Sequence, residues 1–429
     1  MGMSQAMVEI QQLHGGMVGM GMIFEETYRP FFENAYQHGI HDSRTGIISL
    51  DIAAVASRTG KRAAQYKESA GDRINDFTSY VEPDSMQQLL AHDIDFVCVA
   101  TPDDRHFDAA MAAIAAGKHV LIEKPSVLSL QELDQLIAAS QSAGVICKVV
   151  YHKLFDPDHK KLRTLVHDNI LQHVNNGYCT LLEPKEISGA QFAEWIQGRN
   201  PGTYVAVHYI KLIDFTFGGK LKSVSCTGQR GLVGEAHGNT WDSVQLQMIY
   251  EYEGGREAAF DIHTSWVTPD NFPGYVEQEV QFRFDNGVWN GHSRKRGVEC
   301  TVEEKTPHIM KNSMNNHYNG TFVEPNGRRS QRGYGIEVLE QFAREVAFVK
   351  NSAGPDDQAL RLKEIQALNY NDISADRQTV ATVQAMEAIL DEHAAGNPNC
   401  IVNINDPQGG LVMYSPGVRE GKVLYEGQV

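Results

Sequence analysis

DFVCVATPDDRHFDAAMAAIAAGKHVLIEKP, residues 95–125, reads as strand, helix, strand. The apolar run that begins at Phe96 is stopped by Pro102, and the run that begins at His119 is stopped by Pro125. Between them lies an alanine-rich segment with Asp103 and Asp104 at its start and Gly117 at its end. Acids at the N-terminus and a glycine just past the C-terminus are the usual bounds of a helix. Two short apolar strands joined through a helix form a crossover unit, and its strands run parallel.

The same texture continues on both sides. DIAAVAS (51–57) is an apolar run that ends in a small polar residue, and GVICKVVYH (144–152) is another. SLQELDQLIAASQSAG carries Ser129 and Glu132 at capping-box spacing and stops at Gly144. These repeats predict a doubly wound parallel sheet over residues 1–150. Beyond residue 152 the pattern changes. VSCTGQRG, WDSVQLQMIYEYEGGREAAFDIHTSW and VEQEVQFRFDNGVW read as longer alternating strands joined by EGG and DNG turns, which indicates antiparallel sheet. IEVLEQFAREVAFVK and RQTVATVQAMEAILDEHAAG restore a helical period, and the tail from Asn397 has no assigned element. The predicted fold class is α/β. The parallel sheet is followed, over residues 151–429, by an α/β domain with a large open, mainly antiparallel sheet. The late helices pack in that domain or back on the first.

A parallel frame gives meaning to GGMVGMGMIF (15–24). Gly19-x-Gly21 follows strand residues Met17 and Val18, and IFEETYRPFFENAYQ supplies a helix at least to Pro30. Strand, glycine pair and helix make a cradle for the diphosphate of a dinucleotide, here Gly19, Met20, Gly21, Met22 and Ile23. The third glycine of that fingerprint is replaced by Phe24. It serves helix–strand packing, so its loss matters less than loss of the first two. The second strand ends AAVASRTGKR, with Ser57 and Arg58 and no carboxylate. A serine and an arginine suit a 2′-phosphate, which favours NADP; an Arg58 stacked on adenine would admit NAD as well.

Bulk properties narrow the function classes. The chain has 429 residues, of which 42% are apolar, enough for two cored domains. No apolar run approaches the roughly 18 residues of a membrane span, and MGMSQAMVEIQQLH lacks the layout of a secretion signal, so a cytoplasmic location is expected. The formal net charge of −16 disfavours nucleic acid and anionic membranes as partners. The 6 cysteines are scattered with no C-x-x-C pair, which indicates reduced, buried thiols rather than a zinc or disulfide framework, and no metal is expected.

VCVATPDDRHFDAAMAAIAAGKHVLIEKPSVLSLQELDQLIAAS (97–140) resembles the glucose–fructose oxidoreductase/inositol dehydrogenase family, Gfo/Idh/MocA. The likeness lies in Thr-Pro after a strand, His four residues beyond that Pro, Gly-Lys-His-Val and Glu-Lys-Pro. YHKLFDPDHKKLRTLV (151–166) is similar to the opening of that family's second domain, and PGTYVAVHYIKLIDFTFGG (201–219) to its catalytic helix. The resemblance covers most of residues 15–300 and the final helices. It implies a Rossmann domain, an α/β domain with an open antiparallel sheet, and a nicotinamide cofactor between them. Thr101, Pro102, His106, Glu123 and Lys124 match cofactor-proximal positions. His208 stands at the family's catalytic histidine, while Tyr204 and Lys211 stand where the family usually has aspartates.

The residues carry chemistry of their own. Lys124 lies at the C-terminal end of a parallel strand, where α/β proteins bind ligands, and is suited to polarise a reacting hydroxyl. Tyr204, His208 and Lys211 are spaced i, i+4, i+7, so a helix would put them on one face, with His208 or Tyr204 exchanging a proton. His263 and Trp266 are expected to line the open sheet face near substrate, and Lys153 with Lys211 suggests a substrate carboxylate or phosphate. The expected activity is NADP- or NAD-dependent oxidation of a secondary alcohol, or reduction of the matching ketone, in a sugar, polyol or sugar acid. An NAD-dependent glycosidase and a sugar-sensing regulator are the alternatives. The open sheet suggests a homodimer or homotetramer.

Overall fold

The computed structural model describes residues 10–427 apart from 187–195, 197, 238–239, 271, 273–275, 293–298, 304–308, 314, 316, 369 and 406–408. In chain order the first elements are β1 (Ile10–Val18), α1 (Arg29–His38), β2 (Ile40–Asp42), β3 (Gly46–Ser57), α2 (Lys61–Ala70), β4 (Thr78–Val81) and α3 (Ser85–Leu90). They are followed by β5 (Phe96–Val99), α4 (His106–Ala115), β6 (His119–Ile122), α5 (Leu130–Ala143), β7 (Cys147–Val149), α6 (Pro157–His167), β8 (Val174–Pro184) and α7 (Val207–Phe217). Next come β9 (Lys220–Gln229), α8 (Leu232–His237), β10 (Ser243–Glu251), β11 (Glu257–Thr268), β12 (Glu277–Phe284), β13 (Gly287–His292), β14 (Glu299–Glu303) and β15 (Ile309–Ser313). The last are β16 (Gly320–Val323), β17 (Arg329–Arg332), α9 (Tyr334–Lys350), α10 (Pro355–Ala367), α11 (Arg377–Ala394), β18 (Ile401–Asn405), β19 (Gly410–Tyr414) and β20 (Lys422–Tyr425).

The chain divides into two compact units. One is Met1–Val127, Glu132–Phe155 and His317–Asp376; the other is Leu128–Gln131, Asp156–Asn316 and Arg377–Val429. The first unit holds a sheet ordered β2-β3-β1-β5-β6-β7, with β4 also on β3. Its pairs are parallel except β2 with β3. All four residues of β5 are buried, as are Val120, Leu121 and Ile122 of β6. A parallel strand covered on both faces needs an uninterrupted apolar run, which is why these strands are plain in the sequence. β1 is longer than the two residues the sequence suggests. Its first half, with Gln11, Gln12 and His14, pairs residue for residue with Ile48–Asp51, and polar side chains hide that extension.

The first unit also takes in residues 317–376, part of the span 151–429 whose late helices are expected either in the second domain or back on the first. The reason is α9. Its Phe342 ring meets Phe96 of β5 edge-on at 5.5 Å. Its Glu345 carboxylate lies 2.7 Å from Lys148 of β7, and the Lys148 ammonium sits 4.6 Å from the centre of the Tyr370 ring. Both members of this ion pair are fully buried, so helix and sheet share one desolvated contact.

In the second unit nine strands form a sheet ordered β13-β12-β8-β11-β10-β9-β18-β19-β20. The β8–β11 pair is parallel and the other neighbours are antiparallel. β10 and β11 alternate buried and outward residues, with Leu246, Met248, Tyr250, Phe260 and Ile262 inward. α7 closes on this face: Phe217 stacks on Phe260 at 5.5 Å and meets Phe282 edge-on at 4.9 Å. The tail that had no assigned element forms β18–β20 and extends the sheet.

Candidate active site

The glycine loop leaves β1 at Gly19. There φ is +89°, and a Cβ would lie 2.5 Å from the Ala100 carbonyl oxygen. Only glycine combines that dihedral with that approach. The Gly19 N–H donates to the Ala56 carbonyl at 3.0 Å, and the Ala100 N–H to Val18 at 2.9 Å, so the ends of β1, β3 and β5 are drawn together. The helical backbone begins at Met22 and passes through a π turn, Phe24–Tyr28, into α1. Pro30 stands in the first turn of α1. The wide turn ahead of it gives the proline ring room that an α-helix interior would not, so the helix continues beyond Pro30. Phe24, in place of the third glycine, is buried edge-on against Tyr66 of α2 at 5.2 Å. Arg62, also on α2, donates to the Met20 carbonyl at 2.8 Å. A Cβ on Gly21 would meet nothing nearer than that guanidinium at 3.9 Å. A loop open at Gly21 and leading into a helix start fits a dinucleotide diphosphate. At the end of β3, the Ser57 hydroxyl accepts the Gly60 N–H at 3.1 Å and Arg58 is exposed.

The ends of β5 and β6 hold the next group. Thr101 and Pro102 are half-buried. His106 is buried, with Nδ1 2.8 Å from the Pro125 carbonyl and Nε2 2.9 Å from that of Thr101. Its ring bridges two backbone loops. Burial lowers its pKa against the opposite pull of those carbonyls. Glu123 is buried, and its Oε1 accepts the Tyr28 hydroxyl at 3.0 Å. Burial pushes the Glu123 carboxyl up to about 7, although the Lys124 charge and the Tyr28 hydrogen bond pull it down. The Lys124 N–H donates to the same carboxylate at 3.3 Å.

Three groups here escaped the sequence analysis. Tyr28 ties the π turn to Glu123. His152, next to the buried Lys153, is itself buried; desolvation drives its pKa down to about 3, with Lys124 and Lys153 pushing the same way. It is therefore a neutral imidazole beside two lysines. Its ring meets Tyr318 edge-on at 5.7 Å, and the Tyr318 hydroxyl is 3.2 Å from Thr27 Oγ1. The signal for His152 was its place beside Lys153 after a strand; Tyr318 had none, being far along the chain.

The second unit holds Tyr204, His208, Lys211, His263 and Trp266. The first three lie on a helix that opens with a π turn, Gly202–Ala206, before α7. Tyr204 and His208 are half-buried, and Lys211 is only 2% exposed. The Lys211 ammonium lies 3.5 Å from Asp214 Oδ2, which supplies its counter-charge and removes it from the argument for an anionic substrate. Trp266 is fully buried; its indole N–H donates to Glu183 at 2.7 Å and its ring centre is 6.3 Å from that of Tyr204. His263 lies on the other face of β11, exposed, with Asp261. Period two separates positions 263 and 266, so the two do not line one surface.

Among the described residues no three His, Cys, Asp or Glu side chains are grouped to hold a metal ion. No described helix is long and apolar enough to cross a membrane. Cys98, Cys147, Cys179, Cys226 and Cys400 are buried and outside any disulfide.

Residues 13–151 match a family model described as an oxidoreductase family with an NAD-binding Rossmann fold. The chain is similar to the uncharacterized oxidoreductase YdgJ of Escherichia coli (strain K12), 35% identical over 30% of this chain and 40% of that protein. It is also similar to the scyllo-inositol 2-dehydrogenase (NADP(+)) IolU of Bacillus subtilis (strain 168), 28% identical over 32% of this chain and 40% of that one. The chain thus spans about two-fifths of the length of these curated relatives. Among solved structures, an inositol dehydrogenase homolog of Azotobacter vinelandii, complexed with NADH and myo-inositol, superposes with a TM-score of 0.63. It is 18% identical, with 92% of this chain and 98% of that chain covered, a likeness of fold.

Proposed function

We propose, from the match of residues 13–151 to the Gfo/Idh/MocA oxidoreductase family model, that the protein is an NAD(P)-dependent oxidoreductase acting on a secondary alcohol, or the matching ketone, of a sugar, polyol or sugar acid. The observation that carries this reading is the setting of Lys124. It follows a buried carboxylate, Glu123, that is hydrogen-bonded to Tyr28 in the turn after the glycine loop. A lysine is thereby fixed to the element that would hold the dinucleotide. Gly19, Met20, Gly21, Met22 and Ile23 would take the diphosphate. A bound nicotinamide would supply the hydride acceptor or donor. Lys124 polarises the substrate oxygen. His208 takes its proton during oxidation and returns it during reduction, with Tyr204 as the alternative carrier. Lys153 favours a substrate that carries an acid group. Ser57, Arg58 and the absence of a carboxylate at the end of β3 favour NADP. The outward face of the large sheet, with Gln245, Gln247, Thr227 and His263, is polar and suits a homodimer or homotetramer.

The test is a panel of sugars, polyols and aldonic acids with each cofactor, followed by nicotinamide absorbance. Net absorbance change in proportion to product is expected. Product formed without net change would replace the dehydrogenase with a glycosidase, and no turnover with any member would leave a sensor.

A further inference from the structure

The π turn that precedes His208 is gripped from outside its own helix. We propose that Glu387, on α11, is a positioning residue: acting through Asn200 and Thr203, it holds Gly202–Ala206 in its wide form and so fixes the rotation between Tyr204 and His208. This rests on the reaction inferred above.

One carboxylate oxygen gathers the contacts. Asn200 Nδ2 donates to Glu387 Oε1 at 2.8 Å, and the Thr203 hydroxyl makes a short hydrogen bond to the same oxygen. Asn200 Oδ1 in turn accepts the Thr203 N–H at 2.9 Å, and the Tyr204 N–H reaches the Asn200 carbonyl at 3.2 Å. The grip is also steric. A Cβ on Gly202 would lie 2.7 Å from Met386 Sδ, the residue before Glu387, and 3.0 Å from Val244 Cγ1 of β10. α11 therefore both crowds the turn and bonds to it. The charge is well placed, since a carboxylate at a helix N-terminus is favoured by the backbone dipoles.

A π turn holds one residue more than an α turn. Relaxation to α geometry would rotate everything before it by the ~100° that one residue occupies in a 3.6-residue turn. Tyr204 would then leave Trp266, and its angle to His208 would change. Local propensity does not oppose this, because Thr203, Val205 and Val207 are β-branched and set no strong helical preference.

The experiment compares Glu387→Ala with Glu387→Gln, whose amide oxygen still accepts both bonds. The alanine variant is expected to lose about ten- to a hundredfold in kcat, the range for a misplaced reacting group. KM for the cofactor should stay within about twofold, because the glycine loop belongs to the other unit. The limb of the pH–kcat profile should move. The glutamine variant should keep kcat within about threefold. Crystal structures should show an α turn at 202–206 in the alanine variant and the π turn in the glutamine variant. Wild-type kcat and pH limb in Glu387→Ala, or a retained π turn, would overturn the proposal. If Glu387→Ala does not fold, Thr203→Val leaves Glu387 its bond from Asn200 and removes only the two bonds of the Thr203 hydroxyl, to Glu387 and from Asn200, and must show the same change in smaller measure. Absence of nicotinamide-linked turnover in the wild type would remove the inferred reaction, while the two crystal structures would still decide what Glu387 holds.

Discussion

Burial raises the pKa of Glu123 and lowers that of His152; the Lys124 charge opposes the first shift and adds to the second. Lys124→Ala should cost 10²–10⁴-fold in kcat, typical of a lost acid–base or polarising group. It should also raise the pKa of both neighbours, which NMR titration reads without any substrate; unmoved pKa values would detach Lys124 from this cluster. His208 and Tyr204 separate in the same way. His208→Asn is expected to remove most of kcat and Tyr204→Phe mainly to raise KM, the reverse pattern making Tyr204 the proton carrier. Two arginines have different tasks. Arg58 is exposed at the end of β3, whereas Arg62 holds the Met20 carbonyl. Arg58→Ala should weaken NADP by about ten- to a hundredfold and leave NAD nearly unchanged. Arg62→Ala should weaken both alike, since the loop it braces serves either cofactor; calorimetry with each nucleotide distinguishes the two outcomes.

At the scale of elements, what the sequence made legible follows from burial. β5 and β6 announced themselves because strands covered on both faces need unbroken apolar runs. The two π turns were invisible, since a single inserted residue shifts the phase of the helical pattern by ~100° and leaves its period on either side unchanged, and the segments before these turns are too short to show a phase. α9 was legible as an amphipathic helix, but its partner was not, because nothing local in IEVLEQFAREVAFVK names Phe96 or Lys148. That partnership can be measured. Glu345→Gln leaves the Lys148 ammonium without its counter-charge in a dry site, and a loss of about 3–5 kcal/mol in unfolding free energy is expected by denaturant titration. The double variant Lys148→Met, Glu345→Leu should recover most of it; equal loss in both would mean that packing rather than charge holds the helix.

For the whole molecule, buried titratable groups set the acid limit. His152 and His119 are neutral in the folded protein, with pKa values lowered by burial to about 3 and about 4, and His119 Nδ1 accepts the Ile146 N–H. Unfolding lets each take a proton near its ordinary value, so stability is lost as pH falls below about 6.5, at up to ~1.4 kcal/mol per pH unit for each. Glu123 works the other way: it keeps its proton up to about 7 when folded, so its contribution declines as pH rises from the ordinary carboxyl range through 7. Two histidines outweigh one carboxyl, and Tm should fall between pH 6.5 and 5. His152→Asn should flatten that slope; an unchanged slope would place the acid limit elsewhere. The interleaved division of the chain has a temporal consequence. Residues through Phe155 leave the ribosome long before Asp376, the last residue of the same unit. At roughly 5–20 residues per second the gap is on the order of ten to forty seconds. For most of that interval, until Lys350 has emerged, the nascent parallel sheet lacks α9, so Phe96 and Lys148 are open to whatever chaperone or neighbouring chain reaches them first.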